Sequence, residues 1–238
     1  MRQLALFAKH WQPGRVKTRL ATSVGPQSAA DLQRVFIEAL LVRMAASGDQ
    51  RACVYAPADR GPEFAQLAEM AAAGRNWTFV AQAEGDLGRR MRVYLDAVVR
   101  REDHRVVVIG SDSPHLPVAW VERAFRLLDE AAVVLGPCRD GGYYLLGVRR
   151  PLPPIFERIS WGTDLVLQQT VARLDEAGCT YRLLPTWCDV DDQADLDQLV
   201  LDLADPCLAR QEPELRRLAD RIRLVLDRGP GQRRGPHA

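Results

Sequence analysis

The sequence predicts an α/β fold, a three-layer α/β/α sandwich around a mostly parallel sheet. Three observations carry that expectation. Short apolar runs alternate with amphipathic stretches almost throughout, the pattern of repeated crossover units. The run RVVVI over residues 105–109 is β-branched and apolar at consecutive positions from Val106 to Ile109, as a central parallel strand covered on both faces must be. The most motif-like polar segments fall directly after strands, where such sheets bind their ligands.

Taken in order, residues 3–8 form the first apolar run of strand length, and a polar loop with Pro13 and Gly14 follows. Over 27–46, Leu32, Val35, Phe36, Ala39, Leu40 and Met44 share one helical face. A strand at 51–56, a helix at 61–73 and a strand at 77–81 come next. The helix at 86–100 turns Met91, Tyr94, Leu95 and Val98 inward. Beyond the 105–109 strand come a helix (117–128), two strands (131–135 and 143–148), a helix (164–177), a strand (181–184) and a helix (193–203). This organisation assigns residues 1–205 to one domain and 206–227 to a C-terminal helical extension, with a helix over 212–226. The Gly-, Pro- and Arg-rich end, 228–238, is expected to be a disordered tail.

Composition narrows the function classes. A chain of 238 residues that is 47% hydrophobic can bury a sizeable core. A net charge of +1 leaves no global field to recruit nucleic acid or an anionic membrane, so affinity for phosphate must come from a local cluster. The five cysteines include no CxxC pair, which supports neither a zinc site nor a redox motif. With no cleavable leader pattern and no apolar run near the ~20 residues that span a bilayer, the expected setting is the reducing cytoplasm.

Five segments can carry chemistry, and each has a plainer structural reading. Between the first strand and the first long helix lies KHWQPGRVKTRL. Lys9, Arg15, Lys17 and Arg19 supply cations, Thr18 a hydroxyl and Gly14 a turn, a set suited to a diphosphate or triphosphate; a solvated basic loop is the alternative. Asp112 follows the central strand, where a carboxylate can bind Mg²⁺ or Mn²⁺ or merely cap a turn. Asp189, Asp191, Asp192 and Asp195 crowd seven positions, which costs repulsion unless a cation compensates, although Asp191 or Asp192 can equally be a helix N-cap. Gly85, Asp86, Gly88 and Arg89 allow close backbone approach to a flat ligand, or else Asp86 simply caps a helix. Asp140, Gly141 and Gly142 read as a tight turn, or as a surface turned toward an acceptor. A lesser segment, Ser160 to Asp164, places Trp161 where packing is the more ordinary role for an indole.

In order, these segments resemble the bacterial DUF2064 family of glycosyltransferase-like proteins with the GT-A fold, and the chain is similar to the 2-phospho-lactate guanylyltransferases. The resemblance rests on Phe7-Ala8-Lys9, Pro13 to Leu20, Gly85 to Met91, Gly110 to Leu116, Asp140 to Gly147, Trp161-Gly162-Thr163 and Asp189 to Leu196. His10-Trp11 stands where the family often has proline, and Gly162 where Ser or Thr is usual. The resemblance implies a GT-A, nucleotide-diphospho-sugar transferase-like sandwich. It implies that the basic loop holds a triphosphate and that the 85–89 segment lies near base and ribose. It further implies that Asp112 and Asp191, with Asp189 as helper, hold Mg²⁺, and that the Asp140 turn meets the acceptor.

The leading expectation is a metal-dependent transferase, with nucleotidyl transfer to a small phosphorylated acceptor foremost. Arg15, Lys17 and Asp112 would be the catalytic groups. Glycosyl transfer from a nucleotide sugar is the second reading, weakened because Ser111-Asp112-Ser113 offers one Asp rather than a D-x-D pair. A non-catalytic nucleotide-binding module is the third.

Overall fold

The computed structural model describes residues 1–71, 73, 77–150, 152–205 and 212–228. Seven strands form one sheet in the order β3-β2-β1-β4-β6-β5-β7. They are β1 (Arg2–Lys9), β2 (Gln50–Ala56), β3 (Thr78–Ala81), β4 (Arg105–Gly110), β5 (Val133–Pro137), β6 (Tyr143–Arg149) and β7 (Tyr181–Leu183). All neighbours are parallel except β6, which runs antiparallel to both β4 and β5. The expected Asp-Gly-Gly turn is the cause. Cys138 and Gly142 close it through a 3.0 Å backbone hydrogen bond, and Gly141 takes the φ of +87° that the reversal demands.

The helices are α1 (Thr18–Val24), α2 (Pro26–Arg43), α3 (Gly61–Met70), α4 (Leu87–Val98), α5 (Val118–Leu127), α6 (Val166–Glu176), α7 (Gln193–Leu203) and α8 (Pro213–Asp227). Side chains alternate across each strand, so the sheet feeds two cores. Leu4, Leu6, Val107 and Ile109 pack under α2, α3 and α5 through Leu40, Phe64 and Phe125. Ala5, Phe7, Val106 and Val108 pack on the other face under α4 and α6 through Leu95 and Leu174. A third cluster joins Leu20, Phe36, Leu199, Leu218 and Ile222, so α8 is docked against α2 and α7. The tail from 229 and the connection 206–211 lie outside the described residues. Among the described residues, no helix is long and apolar enough to cross a membrane.

The helices depart from the sequence reading in two ways. The short helix α1 occupies part of the expected loop. Its sequence, TRLATSV, buries only Leu20, so it has no apolar stripe to announce it. Gly25, at φ +84°, then breaks the chain, and Pro26 opens α2. The expected helices at 27–46 and 61–73 end earlier, at Arg43 and Met70.

A buried polar brace links α8 to the loop after β4. The Arg43 guanidinium donates to the carbonyls of Pro114 (2.5 Å) and Leu116 (2.9 Å) and pairs with Glu212. His115 lies beside it, 1% exposed at the side chain, against Trp187 and 3.8 Å from both Cys188 Sγ and Asp202 Oδ2. Burial pulls the His115 imidazole down to about 4, against the charge of Asp202 and assisted by that of Arg43. The folded imidazole therefore stays neutral, while the unfolded one takes a proton near 6.5.

Arg43→Met should lower stability by about 3 kcal/mol in urea unfolding, because it strands Glu212 and two carbonyls. For His115 the sign follows from its depressed value. Stability fully present above pH 6.5 is lost as pH falls toward 4, by about 2–3 kcal/mol, so His115→Phe should flatten the fall in urea midpoint across that window.

Candidate active site

The C-terminal ends of β1 and β4 open into a cleft of about 370 Å³. Five cations line it (Lys9, Arg15, Lys17, Arg19 and Arg90), with only Asp112 and Asp191 as carboxylates. Thr18 and Ser111 add hydroxyls, and Phe7, Ala8 and Leu87 add an apolar wall. The loop reaches this geometry through its first segment. His10 donates its backbone N–H to Ala56 (2.8 Å) and stacks on Trp11, which lies against Phe64 of α3. The His10-Trp11 departure from the family pattern thus serves as the loop's anchor.

Lys17 sits at the centre. It takes a left-handed backbone conformation (φ 48°) as the N-cap of α1, which costs a non-glycine residue about 1–2 kcal/mol. Its side chain is 2% exposed and pairs with Asp112 and with Asp191, the latter at 3.4 Å. Burial alone would lower its pKa, but Asp112, then Asp191 and Asp189, leave it raised, so the ammonium keeps its proton. Arg19 meets Asp191 at 2.5 Å.

The acidic segment is pinned opposite. Val190 donates its N–H to the carbonyl of Asp112 at 2.9 Å, which holds the strip 189–191 against the loop after β4. Asp192 and Asp195 then form a capping box at the start of α7, so the plainer reading holds for Asp192. Asp189 instead accepts from the Ser113 hydroxyl at 2.5 Å. Burial, then the charge of Asp112, pushes the Asp189 carboxyl up to about 6, against the Ser113 hydrogen bond and Lys17.

A second cleft, of about 540 Å³, adjoins the first and shares Arg19, Leu87 and Asp191 with it. Its other walls are Asp140, Gly142, Tyr143, Trp161 to Asp164, Val166 and Asp189. Trp161 and Tyr143 meet edge to face at 6.5 Å.

Several expected residues are placed elsewhere. Asp86 caps α4, accepting from the Arg89 N–H at 2.8 Å, and Arg89 points out. Gly88 is required because a Cβ there would overlap the Trp161 indole, and Gly141 because one would overlap the Asp164 carbonyl. Gly14, at φ +74°, shapes the turn without lining a cleft. None of Gly85, Asp86, Gly88 and Arg89 lines either cleft; Leu87 and Arg90 do so in their place. Asp86 as N-cap sets the phase of α4, and positions three apart share a helical face, so the neighbouring pair was readable. Gln33 and Gln82 were missed, and no local pattern marks them; Asp164 closes the lesser 160–164 segment, where it was given no role of its own.

The three expected metal ligands, Asp112, Asp189 and Asp191, surround the Lys17 ammonium. Among the described residues, no three His, Cys, Asp or Glu side chains form a ready metal cage. Asp189 is engaged by Ser113, while Asp112 and Asp191 converge on the one Lys17 ammonium. Two converging carboxylates suit Mg²⁺, which takes one or two and fills its shell with water and phosphate oxygens.

A sequence profile described as an uncharacterized protein conserved in bacteria, DUF2064, matches residues 40–163. The chain belongs to the DUF2064 family. A protein from Desulfovibrio desulfuricans G20, provisionally named a nucleotide-diphospho-sugar transferase, is 33% identical, with a TM-score of 0.80 over 94% of this chain and 97% of its own. The Rv0371c protein of Mycobacterium tuberculosis H37Rv (21% identity, TM-score 0.51) and the CMP:2-keto-3-deoxy-manno-octonic acid synthetase complexed with CTP (12%, 0.50) share the fold alone. Each covers 83% of this DUF2064 chain and 96% of its own. No curated protein matches the sequence.

Lys17→Met leaves Asp112, Asp189 and Asp191 facing one another without their shared cation. It should lower stability by about 3 kcal/mol, read by urea unfolding, and Asp112→Asn in the same chain should restore part of that loss.

Proposed function

We propose that this protein is a nucleotide-using transferase whose first cleft holds the donor's phosphates and whose second holds a small acceptor. The observation that carries the reading is the Lys17 ammonium, which lines the first cleft buried between Asp112 and Asp191, the latter standing at the junction with the second cleft. A cation fixed among carboxylates at such a junction suits a reaction that builds negative charge on a departing phosphate.

In the nucleotidyl version an acceptor oxygen bonds to the α-phosphorus of a nucleoside triphosphate. The bond from that phosphorus to the bridging oxygen breaks, and pyrophosphate leaves with the electron pair. Arg15, Lys17 and Arg19 would meet the charge that develops, so catalysis is mainly positioning and electrostatics. Asp112 and Asp191 would hold Mg²⁺ or Mn²⁺, which when bound supplies further charge neutralisation at the phosphates. Gln82 is already held, donating to the carbonyls of Val54 (2.8 Å) and Ala8 (3.3 Å). It presents a fixed edge where the apolar wall would receive the base.

Glycosyl transfer from a nucleotide sugar is the second reading. It is favoured by the second cleft, whose Trp161 and carboxylates suit a hydroxyl-bearing partner better than a phosphate. Its donor phosphates would use the same cations.

Titration calorimetry against GTP, CTP, UTP, ATP, UDP-glucose and GDP-mannose, with and without Mg²⁺, separates these versions. A triphosphate that binds only with metal supports nucleotidyl transfer, and exclusive binding of a nucleotide sugar supports glycosyl transfer. Silence across the panel would remove the transferase reading. Asp112→Asn should weaken the metal-dependent binding by at least about tenfold, whereas a mere nucleotide-binding module would keep its affinity.

A further inference from the structure

The two adjoining clefts carry opposite charge. The first has five cations against two carboxylates, and the second has Asp140, Asp164, Asp189 and Asp191 against Arg19 alone. Arg19 is already committed to Asp191. A divalent ion near Asp191 would leave the far wall unchanged, because Asp140 and Asp164 belong to other segments. Asp140 uses Oδ1 to accept from the Gly142 N–H at 3.0 Å, and Asp164 has no side-chain partner among the described residues. Carboxylates accept hydrogen bonds and donate none, so this wall selects ligands that bring donors. A phosphorylated ligand would bring further acceptors and like charge.

The remaining walls are flat and apolar. The Trp161 indole is held by the glycine at 88 and by Tyr143, and Leu87 is 48% exposed at the rim between the clefts. Such a face covers the C–H side of a ring while the carboxylates take its hydroxyls.

We infer that the second cleft binds a neutral, hydroxyl-rich acceptor of sugar or cyclitol type, not a phosphorylated one. The inference rests on the transferase reading for the word acceptor, but its binding chemistry is testable without nucleotide. It replaces the phosphorylated acceptor that the sequence suggests, for a reason the sequence hides: the fold gathers Asp140 and Asp164 with Asp189 and Asp191 in a cleft that Arg19 alone of the basic loop's cations lines.

The test follows the Trp161 indole N–H resonance of the full chain, assigned by its loss in Trp161→Phe. Mannose, glucose, myo-inositol, glucosamine and mannose 6-phosphate are titrated separately. At least one neutral compound should shift that resonance, and mannose 6-phosphate should bind about tenfold more weakly than mannose. Asp140→Asn with Asp164→Asn should shrink that gap. Tighter binding of the phosphate ester would overturn the inference, as would silence of every neutral probe. Glucosamine binding far more tightly than every neutral probe would overturn it in favour of a cationic acceptor. A neutral sugar that binds while no nucleotide does would leave the inference standing and remove the transferase reading.

Discussion

The buried Lys17 ammonium is the constraint on which the site depends. Three segments far apart in the chain meet on it: the loop after β1, the loop after β4, and the strip that precedes α7. A charge so deeply placed is tolerated only when paired, so the carboxylates of Asp112 and Asp191 must stay within reach. They in turn would repel one another, and Asp189 as well, without it. The left-handed backbone at Lys17 is the local cost of aiming the side chain into that position.

Around this centre the fold supplies rigidity in successive shells. Val190 ties the acidic strip to Asp112 by a backbone bond, and the capping box at Asp192 and Asp195 fixes where α7 begins. Behind the Asp112 loop, Arg43 holds the carbonyls of Pro114 and Leu116, and Glu212 holds Arg43. The helix α8 is therefore bound to the site through two intermediates, although it lines neither cleft. Groups that must hold charge in place are better set on such supported positions than on free loops.

Much of this was legible in the chain. The β-branched run of β4 and the alternation of elements gave the fold class, because burial on both faces leaves a continuous apolar signature. The basic loop, Asp112 and the 189–191 strip stood out because like charges crowded in sequence need an explanation. Less visible was whatever depends on tertiary phase. The Gly85 to Arg89 segment looked like ligand contacts, yet its glycine at 88 makes room for an indole 73 positions later. Arg90, one residue beyond that segment, reaches the cleft instead. Asp164 stood only at the end of a lesser segment, because its meaning comes from lining one cavity with Asp140 and Asp189. The short α1 was hidden by its lack of an apolar stripe, and the Ser113 hydroxyl that engages Asp189 lies 76 positions away in the chain.

The long span of the Lys17 to Asp191 pair, 174 positions, has a consequence for biosynthesis. Chains emerge from the ribosome N-terminus first, so β1, α2 and the basic loop exist long before the strip that neutralises them. Until then the Lys17 cation has no reason to leave water, and its left-handed cap conformation has nothing to sustain it. The first cleft is therefore completed last, when the 189–191 strip arrives and α8 then braces the loop behind it. A nascent chain would possess most of its sheet while still lacking the pocket that gives the sheet its purpose.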